Sequence, residues 1–115
     1  MQGMGWLTTE ELKWDDTGRL QTDGPATYKI PAIADTPDVF NVRLWSKDCI
    51  DESAVLGSKA VGEPPLMLAM SVWCAIRDAI GAAGNNKIFP ALNAPATPEE
   101  ILRCVTAVVD ISATT

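Results

Sequence analysis

The chain has 115 residues, 47% of them apolar, enough for one domain with a buried core. A net charge of −6 and an isoelectric point near 4.4 argue against nucleic acid and against an anionic membrane surface as partners. Histidine is absent, which excludes Ser-His-Asp and Cys-His catalysis and every histidine-dependent metal site within the chain.

Taken in chain order, residues 1–6 (MQGMGW) carry no N-cap and no polar lead-in, so they read as the middle of a larger structure. Thr8 or Thr9, with Glu10 and Glu11, belongs to a short helix or to its end. Leu12, Lys13 and Trp14 on one side, and Arg19, Leu20 and Gln21 on the other, flank Asp15-Asp16-Thr17-Gly18, predicting a β-hairpin with glycine in the turn. Thr22-Asp23-Gly24-Pro25 is a second turn signal. Residues 28–37 alternate apolar residues with prolines and read as an extended connection. Residues 39–45 are the best strand, with Phe40, Val42 and Leu44 on one face.

Leu66, Met70, Trp73, Ile76 and Ile80 recur at spacings of three and four, predicting a helix over residues 66–83 that ends at Gly81 and Gly84. Met67, Met70 and Trp73 read as core. A shorter helix follows. Thr97 caps it, Pro98 takes the first turn, and Glu100 completes a capping box ahead of Ile101, Leu102 and Val105, with fraying after Asp110. The fold class expected is α+β, a hairpin and a further strand packed against one long and one shorter helix. Glycines 81 and 84 invite a phosphate-loop reading, but they follow a helix rather than lead from a strand into one. The acidic pairs Glu10-Glu11 and Asp15-Asp16 lack metal-loop spacing and read as solvated charge. Cys49, Cys74 and Cys104 are too far apart for a zinc site, and Cys74 and Cys104 fall on apolar helical faces as buried thiols. A reducing, cytoplasmic setting fits them. No signal peptide or long apolar span is read.

Between the predicted strand and the long helix stands Lys59-Ala60-Val61-Gly62-Glu63-Pro64-Pro65. Gly62 lets a ligand approach the backbone closely. A residue before proline is pushed toward extended dihedrals, so Glu63 and Pro64 are expected extended and Pro65 first in the helix. The helix dipole favours an ionised Glu63 while burial raises its pKa, and a carboxylate held between the two suits a general base. A surface glutamate that only complements the dipole is the alternative from local chemistry.

The run KAVGEPPLMLA (59–69) resembles a signature near the C-terminus of the xanthine dehydrogenase and oxidase family, molybdenum hydroxylases. QGMGWLTTEEL (2–12), GPATYKIPAIADTPDVFNVRLW (24–45) and LNAPATPEEIL (92–102) are similar to further segments of that family in the same order. The resemblance implies that residues 1–115 are the C-terminal segment of a molybdopterin-binding domain, itself incomplete here. It implies that Glu63 is the catalytic base, deprotonating a molybdenum-bound hydroxyl for attack on a purine such as hypoxanthine or xanthine, with urate as the end product. Val61 and Gly62 match backbone positions beside the cofactor; Lys59 matches without an assigned role, and no residue is a metal ligand. Iron–sulfur clusters and FAD are implied on other domains or subunits. The partners implied are the remainder of the molybdopterin-binding subunit and the FAD/iron–sulfur subunit, with no nucleic acid and no membrane. The segment alone is expected to be inactive and to self-associate through exposed apolar surface. Two alternatives are an aldehyde oxidase-type molybdenum hydroxylase and a non-catalytic interaction domain.

Overall fold

The structure, a computed structural model, describes residues 1–43, 53, 55–57 and 63–114. Three α-helices organise it: α1 (Gln2–Trp6), α2 (Glu63–Ala83) and α3 (Pro98–Thr114), with single 3-10 turns at Ile33–Asp35 and Val55–Gly57. Helices α2 and α3 lie against each other, and α1 lies across the beginning of α2.

Helix α2 forms where strong helix formers and a three-to-four apolar spacing coincide. It opens on Glu63, earlier than the expected start at Pro65. The first turn of a helix has no intrahelical partners for its N–H groups, so Pro64 and Pro65 inside that turn forfeit no hydrogen bond. The helix closes as expected. Asn85 and Asn86 take positive φ (56° and 57°), and the Asn86 N–H bonds the Gly81 carbonyl at 2.8 Å. Gly84 is glycine for another reason: a Cβ there would lie 2.9 Å from Val108 Cβ and 3.0 Å from its carbonyl oxygen. Helix α3 packs down onto that gap.

Helix α3 begins as half of a capping box. The Glu100 N–H bonds Thr97 Oγ1 at 3.3 Å, but the Thr97 N–H goes to the Pro95 carbonyl rather than to Glu100. The helix continues past Asp110 to Thr114, contrary to the expected fraying. Its end is tied down, because the Ser112 hydroxyl donates to the Gly84 carbonyl (2.8 Å) and Lys87 Nζ to the Ser112 carbonyl (3.3 Å).

The core is small. Ile80 of α2, Leu92 and Ala96 of the connecting loop, and Cys104 and Val108 of α3 are buried together, with Trp73, Ile76, Ile101 and Val105 packed around them. Burial pushes the Cys104 thiol above its usual pKa. Cys74, expected buried, is exposed. Met67 and Met70, expected in the core, are exposed as well. They lie on the N-terminal half of α2, which α3 does not reach; Trp73 lies within the packed half.

The α+β expectation is overturned: among the described residues there is no strand, and the architecture is helical with long irregular connections. The predicted hairpin reduces to a turn with one isolated antiparallel bridge, Trp14 to Leu20. Asp15 builds the turn. Its Oδ1 accepts from the Thr17 N–H, the Thr17 hydroxyl and the Arg19 N–H, and Gly18 takes φ 83°. The flanks do not extend into strands, since a two-stranded ribbon without a covering layer is marginal in water. Residues 39–43 of the other predicted strand are irregular and exposed, with no described neighbour to supply a ladder; Leu44 and Trp45 lie outside the described residues.

Residues Pro64–Ala83 reach a mean hydropathy of 1.4, long and apolar enough by composition alone to cross a bilayer. The C-terminal half of that helix is a wall of the core, and Arg77 and Asp78 interrupt its apolar character.

Candidate functional site around the start of helix α2

Glu63 is the first residue of α2. Val61 and Gly62 lie outside the described residues, as do Lys59 and Cys49. Of the first three helical residues only Glu63 carries an N–H, because Pro64 and Pro65 follow it. This helix end therefore offers little backbone donor capacity of its own. What the sequence places there is a glutamate at the first position of a 21-residue helix, followed by two prolines.

The start of α2 is seated on α1. Gly3 is buried, and a Cβ built on it would collide with the Pro65 carbonyl oxygen and approach Ala69 Cβ to 3.0 Å. The two backbones touch where any other residue would hold them apart. A groove of about 490 Å³ opens beside this contact, lined by Met1, Gln2, Met4, Pro64, Pro65 and Leu68 among others. α1 is braced from behind. The Thr8 hydroxyl bonds the Met4 carbonyl (2.6 Å), the Glu10 N–H the Gly5 carbonyl (2.9 Å), and the Ala96 N–H the Leu7 carbonyl (2.7 Å). Glu10 in turn accepts from the Tyr28 hydroxyl at 2.5 Å, which raises the pKa of that phenol. The acidic pair read as solvated charge thus contributes one structural acceptor.

Two features escaped sequence reasoning. The seating of α1 on α2 depends on Gly3, whose only signal was its place in the glycine-spaced run QGMG. The other is Arg77, whose guanidinium lies 4.9 Å from the Trp73 ring centroid and 4.5 Å from that of Phe89. At 1.5 Å per residue it stands about 21 Å along the helix from Glu63, outside any site formed there.

Residues 1–37, which include α1, match the family model described as a molybdopterin cofactor-binding domain. Among curated proteins, the chain is 52% identical over 108 residues to the xanthine dehydrogenase/oxidase of Felis catus, covering 88% of this chain and 8% of that protein. It is 47% identical over 121 residues to that of Mus musculus, covering 99% of this chain and 9% of the relative. Xanthine dehydrogenase 1 of Arabidopsis thaliana is 49% identical over 112 residues, covering 88% of this chain and 8% of the relative. The chain belongs to the xanthine dehydrogenase/oxidase family. It spans less than a tenth of the length of these relatives.

Among the described residues no three His, Cys, Asp or Glu side chains converge to hold an ion.

Proposed function

We propose that this chain is the C-terminal segment of a molybdopterin-binding subunit and that Glu63 is the general base of a molybdenum hydroxylase acting on purines such as hypoxanthine and xanthine. The observation that carries the reading is the extent of the likeness. A match that covers 88% of 115 residues extends across position 63, and the relatives so matched bear the name xanthine dehydrogenase. The opening of α2 on Glu63, with two prolines behind it, supports the assignment physically.

When bound, the molybdenum cofactor supplies the two-electron redox chemistry of hydroxylation. Val61 and Gly62 would line its edge with backbone. The part of Glu63 is to accept one proton at a carboxylate oxygen, hold it while the substrate reacts, and release it to solvent. The stiff Pro-Pro backbone keeps Glu63 in place without a large entropic cost. The remaining walls of the site, the iron–sulfur clusters and the FAD belong to polypeptide outside these residues. The chain alone is inactive for want of them.

Glu63→Gln in the enzyme that carries this segment tests the assignment. Loss of a positioned base is expected to lower turnover by about 10²–10⁴-fold, with molybdenum content unchanged. Turnover that survives the substitution would leave Glu63 as a charge that only complements the helix dipole.

A further inference from the structure

We propose that Gly3 is a positioning residue for Glu63, and that α1 sets where the base stands. The inference rests on the assignment of Glu63 as general base. Gly3 is buried against the first turns of α2, and any Cβ there would strike the Pro65 carbonyl oxygen, with the Pro65 carbonyl carbon and Ala69 Cβ both at 3.0 Å. The first two of these atoms are backbone and cannot rotate aside. Pro65 is two residues from Glu63, and the rings of Pro64 and Pro65 fix φ at both intervening positions. A displacement at the Pro65 carbonyl is therefore passed on to Glu63 rather than absorbed. α1 cannot retreat either. Its exit is bonded to the loop before α3 through the Ala96 N–H and the Leu7 carbonyl at 2.7 Å.

Gly5 provides the control. A Cβ on it would meet Glu10 Oε1 and the Pro31 ring, with Pro31 Cδ at 2.5 Å, and none of its nearest contacts belongs to α2. Both glycines are sterically obligatory, but only Gly3 touches the helix that begins on Glu63.

The experiment uses the full-length enzyme carrying Gly3→Ala or Gly5→Ala, with hydrogen exchange followed on residues 67–70 of α2 and turnover expressed per bound molybdenum. Gly3→Ala is expected to speed exchange there at least tenfold, leave α3 unchanged, and lower kcat at least tenfold with KM within twofold. Gly5→Ala is expected to lower yield and to alter both readouts less than Gly3→Ala, because its clash with Glu10 and Pro31 reaches α2 only through α1. If Gly3→Ala does not accumulate, Ala69→Ser, which adds one atom to the same contact, should show the same signature at a few-fold amplitude. Unchanged exchange in α2, or an equal fall in kcat for Gly5→Ala, overturns the proposal. Faster exchange with unchanged kcat overturns it too, because the contact would then not position the base. Survival of turnover in Glu63→Gln is a separate result that removes the base assignment itself, while the exchange data still report the grip of α1 on α2.

Discussion

Glu100 illustrates how a residue can keep its predicted place and change its partner. The capping-box spacing aims its carboxylate back at Thr97, but Arg103 one turn on donates to it through Nε (2.7 Å) and Nη2 (2.6 Å), and the Asn93 N–H adds a third bond at 2.7 Å. The fork of Arg103 is the larger influence and the Asn93 amide the next; together they lower the Glu100 pKa from 4.5 to about 2. Arg103 also donates to the Ala91 carbonyl (2.7 Å), so the network ties the loop between α2 and α3 to the first turns of α3. A depressed carboxylate pKa stabilises the fold above its ordinary value, and that contribution is lost as pH falls through the folded one. Wild type is therefore expected to lose its advantage over Glu100→Gln as pH is lowered from about 5 towards about 2, the window between the ordinary and folded pKa values. Chemical denaturation at a series of pH values would show it, and two curves that stay parallel would refute it. Solvent reaches this pair through the exposed Arg103 and screens it, although Glu100 is half-buried, so the difference should be small at every pH.

At the scale of elements, both long helices were legible in the sequence because their signals are local. Spacing, capping residues and glycine or asparagine exits all lie within one turn of what they specify. The strands were not legible in the same sense. Alternation in residues 39–45 marks a segment that would suit a sheet, but a strand also needs a neighbouring edge, and nothing local to those residues supplies one. The hairpin signal was correct for the turn at Asp15 and Gly18 and failed only where pairing had to continue. The start of α2 was misplaced because the preference of residues before proline was given more weight than the freedom of a helix's first turn. Of the candidate site, Glu63 was legible as a motif, whereas Gly3 was not, since its role comes from a contact between segments some sixty residues apart. The two halves of α2 should answer differently to truncation of the isolated chain. Ile80 is 3% exposed in the core and Leu68 is 69% exposed. Ile80→Ala is expected to cost about 2–5 kcal/mol and Leu68→Ala no more than about 0.5 kcal/mol, measured by urea unfolding. Equal losses would mean that the N-terminal half of α2 is covered in the same way as the C-terminal half.

For the whole molecule, the apolar pattern specified a face for α2 but not what covers it. Leu66, Met67, Leu68 and Met70 project from the half of the helix that α3 does not reach, and Ile30, Ile33, Val39, Phe40 and Val42 are exposed along the irregular connections. The radius of gyration is 18.7 Å, against about 13 Å for a compact chain of roughly 100 residues. The molecule is thus elongated, with its core gathered where α2 meets α3. Each large apolar side chain that finds cover gains about 1.5–3 kcal/mol, so several of them exposed together favour association over an open surface. The net charge of −6 opposes this only weakly at physiological salt, where charges beyond about 8 Å are screened. The isolated chain is expected to associate with rising concentration and to bind an apolar dye. Replacing Leu66, Met67 and Met70 together by lysine should reduce both, because like charges on neighbouring turns repel and the apolar patch is broken. Light scattering across a dilution series reads the first effect and dye fluorescence the second. A chain that stays monomeric at high concentration without binding dye would mean that these side chains find cover within the chain itself.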